Sequence, residues 1–137
     1  MMNTEDGNLF VIGLNHRTTP LELREQFSLA PDRAMLLAER LRTLLGLTEA
    51  VVLSTCNRLE IYGVGRATAN QLREIFEILA GLTQEGRTFP AFEAVESLFY
   101  FYRGAGCVQH LFRVASSLDS LVVGETAVLS NVKYVIT

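Results

Sequence analysis

Hydrophobic and polar positions along the chain fall into alternating short blocks, and each block has a period of its own. Residues 9–14, LFVIGL, form an unbroken apolar run that predicts a short buried strand, and the polar loop NHRT follows. Thr19-Pro20-Leu21-Glu22 fits a helix start, with Thr19 as cap, Pro20 at the first helical position and Glu22 completing a capping box. From Pro31 to Leu45, apolar residues recur at Ala34, Leu37, Ala38, Leu41, Leu44 and Leu45, and Gly46 is a natural stop. Residues 50–54 and 59–64 predict two strands close enough to pair as a hairpin, with Thr55 to Arg58 at its turn. Thr68 to Gln71 reads as a second capping box, opening a helix with Leu72, Ile75, Phe76 and Leu79 on one face and an end at Gly81. Residues 82–96 show no clear period, and 98–102, LFYFY, predict a fourth strand.

The element order is therefore β-α-β-β-α-β, which places residues 1–103 in a ferredoxin-like sandwich of the α/β (α+β) class. The character changes near Gly106. CVQHLFRVASSL is helical, with Val108, Leu111, Phe112 and Ala115 spaced for one face, DSLVVGE connects, and TAVLSNVKYVIT reads as the start of another helix. Residues 104–137 are thus expected to form a helical segment. The chain ends on Val135-Ile136-Thr137 without a glycine or proline stop, so we expect a longer parent chain. Internal repeats and low-complexity stretches are absent.

Composition narrows the function. With 137 residues, 49% hydrophobic and 20% charged, the chain can bury a core as a single domain of ordinary size. A net charge of −3 argues against a general nucleic-acid binder, without excluding a local basic patch. No apolar run approaches the roughly 20 residues that span a bilayer, and the acidic start MMNTEDGN is not a secretory signal. Two cysteines, Cys56 and Cys107, are too few for a disulfide framework, so reduced thiols in the cytoplasm are the simpler expectation.

The chemistry concentrates in Ser54-Thr55-Cys56-Asn57-Arg58. A cysteine at a hairpin turn can present a thiolate, and the positive charge of Arg58 could favour that form. Turn amides could stabilise an oxyanion beside the sulfur, while Arg58 could grip a carboxylate with two prongs. A cysteine near a strand end is also commonly a small buried hydrophobe, so both readings stand.

Three segments resemble the N-terminal part of glutamyl-tRNA reductases: GLNHRTTPLELRE at 13–25, STCNRLEIY at 54–62 and HLFRVASSLDSLVVGE at 110–125. The resemblance implies that Cys56 attacks the ester joining glutamate to tRNA(Glu), and that hydride from NADPH reduces the resulting thioester to glutamate-1-semialdehyde, the first step of the five-carbon route to tetrapyrroles. It implies that Thr55, Asn57 and Arg58 hold the glutamyl group, with Arg58 on its side-chain carboxylate, and that His110 is needed for activity close to the site. Ser120, Glu125, Thr126, Ala127 and Asn131 fall on its substrate-contacting stretch. There the family usually reads Gly-Glu-Pro-Gln-Ile-Leu-Gly-Gln-Val, whereas residues 124–132 read GETAVLSNV. Ala127 loses a glutamine's hydrogen bonds and Asn131 shortens another. A relative that binds charged tRNA without reacting is therefore the alternative. The family's NADPH-binding and dimerising domains lie beyond the matched part, so this chain is expected neither to bind NADPH nor to finish the reduction alone. A cytoplasmic homodimer that passes its aldehyde to an aminomutase is implied for the whole enzyme.

Other features carry less. Gly63-Val64-Gly65-Arg66-Ala67-Thr68 has Thr68 where a dinucleotide fingerprint needs its third glycine. Cys107 and His110 have helical metal-ligand spacing, but two ligands do not make a site, and no metal is expected. His16 either pins its loop or neighbours the site. Arg17, Arg24 and Arg33 could meet tRNA phosphates or simply be solvated. LFYFY could be an RNA-stacking strand, but its two faces are both apolar or aromatic, which suits burial better.

Overall fold

A computed structural model of the chain describes residues 8–66, 69–82, 89–116 and 135–136. Its elements are β1 (Leu9–Asn15), α1 (Leu21–Gln26), α2 (Pro31–Leu45), β2 (Glu49–Ser54), β3 (Arg58–Val64), α3 (Leu72–Gly81), α4 (Phe92–Val95), β4 (Tyr100–Arg103), α5 (Ala105–Ala115) and β5 (Val135–Ile136). Short 3-10 turns at Ala69–Gln71 and Glu96–Leu98 precede α3 and β4. The strands form one antiparallel sheet in the order β4-β1-β3-β2-β5. The first four strands with α2 and α3 realise the expected β-α-β-β-α-β arrangement.

The unbroken apolar run of β1 arises because this sheet is covered on both faces. On one face, Phe10, Ile12, Leu14, Ala50, Val52, Leu59 and Ile61 join Ala34, Leu37 and Leu41 of α2 and Ile75, Phe76 and Leu79 of α3 in the main core. Phe27 closes its end, with ring centroids 5.0 Å from Phe89 and 5.7 Å from Phe99. On the opposite face Val11 and Tyr62 meet Cys107 of α5, and Leu53 meets Val114.

Several expectations need correction. The cap of α1 is Pro20, without a side-chain cap bond, and the Thr19 hydroxyl lies 3.0 Å from that of Thr18. Leu44 is exposed, so the buried stripe of α2 ends at Leu41. The unclear stretch holds α4, and β4 begins at Tyr100 because Leu98 still belongs to the 3-10 turn. On α5 the buried residues are Cys107, His110 and Val114, while Leu111 and Phe112 of the expected apolar face are exposed. His110 decides that orientation, because its ring reaches a carboxylate in the sheet (below). Residues 135–136, within the expected last helix, are not helical either. Val135 pairs with Val51 and Ile136 with Ala50, so two β-branched residues extend the β2 edge. Of the stretch 104–137 the structure describes 104–116, which holds α5, and 135–136, which form β5; the rest lies outside the described residues, as does Thr68. Among the described residues no helix is long and apolar enough to cross a membrane.

Candidate active site

The hairpin turn between β2 and β3 is closed by Thr55 N–H donating to the Arg58 carbonyl at 2.9 Å. Asn57 N–H donates to Thr55 Oγ1 at 3.1 Å. Cys56 stands between them, exposed and free of any disulfide. Its own amide takes no partner among the described residues. Thiol and amide are thus presented together at the tip, an arrangement in which an N–H can meet the oxyanion formed by attack of the sulfur. Asn57, by contrast, is buried. Ser54, the last residue of β2, accepts from Leu29 N–H at 3.4 Å and ties the turn to the segment after α1.

Alternation along β3 points Arg58, Glu60 and Tyr62 to the face beneath α5. Arg58 is only 2% exposed, and its Nη1 lies 3.6 Å from Glu60 Oε1. The charge expected to act on the thiol is therefore at least partly balanced by Glu60. Glu60 is fully buried and receives three further donors. Tyr62 O–H donates to Oε1 at 2.9 Å, Tyr100 O–H donates to Oε2 at 2.6 Å, and His110 Nε2 bonds to Oε2. The Tyr100 and Tyr102 rings flank the His110 imidazole, with centroids 5.0 and 5.1 Å away.

The electrostatics follow from this packing. Burial alone would raise the Glu60 carboxyl, but the hydrogen bond and charge of His110, the Tyr100 hydroxyl and Arg58 outweigh it and hold Glu60 below its ordinary value. Tyr62 and Tyr100 are pushed upward by burial first and then by the Glu60 charge, so both remain donors. Cys107 is raised to about 11 by burial and by Glu60, which makes it an inert packing thiol.

The structure thus brings Thr55, Cys56 and Asn57 together at the turn and links Arg58 to His110 through Glu60. Ser120, Glu125, Thr126, Ala127 and Asn131 lie outside the described residues. His16 follows Asn15, which pairs with Arg58 across β1 and β3. Asn15 Oδ1 accepts from the amides of Arg17 and Thr18, at 2.9 and 3.2 Å, which fixes this loop beside the base of the turn. Gly63 and Gly65 are small for packing reasons. A Cβ there would lie 2.6 Å from Phe10 Cζ and 2.6 Å from Leu47 Cδ2, respectively, so these glycines do not fit a dinucleotide cradle. Among the described residues no cluster of three or more acidic, histidine or cysteine side chains could hold a metal ion. Both faces of β4 make aromatic contacts too, since Tyr100 packs at a tilt on His110 of α5 and Phe101 stacks on Phe10 in the core.

Glu60, Tyr62, Tyr100 and Gly13 are site components that patterning missed. Gly13 sits opposite Glu60 on one side and Tyr100 on the other. A Cβ there would lie 2.9 Å from Glu60 Cγ and 2.6 Å from the Leu59 carbonyl oxygen, so the glycine makes room for the carboxylate. The available signal was a lone acid inside an apolar strand, paired with a lone histidine on a helix.

Comparison with known proteins gives a consistent result. A family model described as "Glutamyl-tRNAGlu reductase, N-terminal domain" matches residues 12–137. The glutamyl-tRNA reductase of Citrifermentans bemidjiense is 40% identical over 126 residues, covering 92% of this chain and 28% of that protein. That of Xylella fastidiosa is 42% identical over 125 residues, covering 91% of this chain and 26% of that protein. The solved structure of glutamyl-tRNA reductase from Methanopyrus kandleri superposes with a TM-score of 0.62 at 29% identity, over 93% of this chain and 27% of that one. The chain therefore spans little more than a quarter of the length of these relatives.

Proposed function

The chain belongs to the glutamyl-tRNA reductase N-terminal domain family, and from that premise we propose that it carries the acyl-transfer half of the reaction, with Cys56 as nucleophile. The observation that carries this reading is the exposed Cys56 at the tip of the β2–β3 turn, with its amide unpartnered among the described residues. The thiolate attacks the carbonyl carbon of the ester that joins glutamate to tRNA(Glu). The tetrahedral oxyanion is met by the Cys56 amide, then collapses to a thioester. The ribose oxygen leaves and takes a proton from water. Thr55 and Asn57 shape the turn, and Arg58 meets the glutamyl side-chain carboxylate. Ser120, Glu125, Thr126, Ala127 and Asn131 complete the substrate-binding set, with Ala127 and Asn131 weakening the hold on substrate.

A thioester surrenders its acyl carbon to hydride more readily than an oxygen ester does, which suits an enzyme that reduces the product to an aldehyde. The Gly63–Gly65 turn is packed against Phe10 and Leu47 and offers no dinucleotide cradle, so no reductive step is assigned to the described residues. NADPH chemistry, the supply of glutamate-1-semialdehyde to tetrapyrrole synthesis, an aminomutase partner, a dimeric state and a cytoplasmic location belong to the proposal for the whole enzyme. Without a reductant, the thioester is drained slowly by water. We expect this chain to hydrolyse glutamyl-tRNA(Glu) by that route and Cys56→Ser to lose the activity. Equal hydrolysis by the variant would refute it.

A further inference from the structure

We propose that Arg24 of α1 is an anion-binding residue on the shoulder of the Cys56 turn, and that the anion it takes is a backbone phosphate next to the acylated end of the tRNA. The inference deepens the acyl-transfer reading and rests on it for the identity of the anion.

Arg24 is half-buried, and its Nε and Nη1 are shielded from water without a hydrogen-bond acceptor among the described residues. Glu22 and Glu25, the acids of the same helix, are exposed, and neither satisfies these atoms. Donors of a permanent cation have therefore given up hydration without gaining a bond. That arrangement is costly in the free fold, because a desolvated charge ordinarily has a partner. It favours a ligand that brings its own negative charge, and the planar fork of a guanidinium matches phosphate oxygens. The stem is long and the residue only partly covered, so the fork can turn to meet an anion at the surface.

The path of the chain puts Arg24 beside the nucleophile. Asn15 pairs with Arg58 across β1 and β3, and Leu29 N–H donates to Ser54 Oγ at 3.4 Å. Ser54 ends β2 and Arg58 begins β3, so they are the two stems of the Cys56 turn. Residues 16–28 thus start beside one stem and finish against the other, with α1 between them. This excursion is fixed along its length. The Pro20 carbonyl accepts from the Leu23 and Arg24 amides at 3.1 and 3.0 Å, and Phe27 is held in the core by the Phe76, Phe89 and Phe99 rings. A polyanion whose terminal ester reaches Cys56 brings its nearest phosphates to the rim of the turn, where α1 stands. On a chain of net charge −3, such a strand is held by local cations rather than by a general field. Phosphate contacts fix orientation without reading bases, which suits the holding of an ester for attack. Arg58 already serves the glutamyl carboxylate in the acyl-transfer reading, which leaves Arg24 for the strand.

The test uses the 137-residue chain with Arg24→Met, which keeps the stem and removes the charge, Arg24→Lys, and Arg40→Met as a control at an exposed arginine of α2. Deacylated tRNA(Glu) is titrated at several salt concentrations. We expect Arg24→Met to bind about tenfold more weakly, the scale of one charge-assisted contact. Its slope of log affinity against log salt should be shallower by about 0.7–0.9, the share of one phosphate. Arg24→Lys should keep the parental slope, and Arg40→Met should match the parent throughout. Without tRNA, the urea midpoint of Arg24→Met should equal or exceed that of the parent, since no bond is lost. The α-benzyl thioester of glutamate carries no phosphate, so Arg24→Met should be acylated by it at Cys56 at the parental rate. Parental tRNA affinity in Arg24→Met overturns the proposal, as does a slope in Arg24→Lys as shallow as that of Arg24→Met. An equal loss in Arg40→Met reduces the effect to net charge and overturns it too. A lowered midpoint or an unfolded Arg24→Met assigns the residue to the fold, and a slowed thioester reaction assigns it to the glutamyl group or the turn. Either overturns the phosphate assignment. If the parent binds tRNA through Arg24 but neither the thioester nor glutamyl-tRNA(Glu) acylates Cys56, the acyl-transfer reading fails and the phosphate contact stands. A parent that is acylated by the thioester yet binds no tRNA at any salt concentration overturns the phosphate contact alone.

Discussion

Glu60 ties pH to stability with a definite sign. Its folded-state carboxyl titrates below the ordinary value of 4.5, so the folded chain holds a proton there less readily than the unfolded chain. The resulting stabilisation is fully present above the unfolded value and is lost as pH falls through the folded one. The groups facing the carboxylate are Arg58, Tyr62, Tyr100 and His110. Acid titrations of the parent should show stability falling below about pH 4.5, and Glu60→Gln should flatten that limb. Identical acid limbs would contradict the assignment. The two thiols give a second residue-scale test. Near neutral pH, Cys56 should be alkylated in the folded chain, whereas Cys107, buried and raised to about 11, should react only after denaturation. Mass mapping of the labelled peptides distinguishes them. The sequence made Cys56 legible because STCNRLEIY is a contiguous motif. It hid Glu60, whose significance comes from a histidine 50 residues away.

Elements whose signals are local were readable, and those set by tertiary contacts were not. Helix α2 spans the expected Pro31–Leu45 because a proline opens it and Gly46 closes it with φ 66°. Gly46→Ala meets nothing within 4 Å, so it isolates the left-handed backbone penalty. We expect a loss of about 1–2 kcal/mol in denaturant unfolding. Gly13→Ala is the steric counterpart. Its Cβ would press on the Leu59 carbonyl and on Glu60, so we expect a cost of about 1–3 kcal/mol and slowed acylation. A neutral Gly13→Ala would show that the strand pair yields freely. Helix α5 defeated its periodicity because a buried polar bond outranked the apolar stripe, leaving Phe112 71% exposed. Helix α4 and the late start of β4 arise around aromatic packing, such as Phe76 against Phe92 at 5.3 Å, that no local window contains. Strand β5 depends on a partner edge far earlier in the chain.

On the scale of the whole molecule, the sheet separates two tasks. One face builds an apolar core with α2 and α3, and the other carries the charged network under α5. Leu41→Ala in the first should lower stability by about 2–5 kcal/mol yet leave acylation unchanged below its melting range. Loss of acylation in that folded variant would mean that the faces are not independent. The central claim is that this fold presents Cys56 to an activated glutamyl group. The most direct measurement is the intact mass of the chain after brief incubation with glutamyl-tRNA(Glu) and an acid quench, beside Cys56→Ser. The account predicts a glutamyl adduct on the parent, mapped to the Cys56 peptide, and none on the variant. An unmodified parent that still binds the charged tRNA, or an adduct that survives Cys56→Ser, would contradict it.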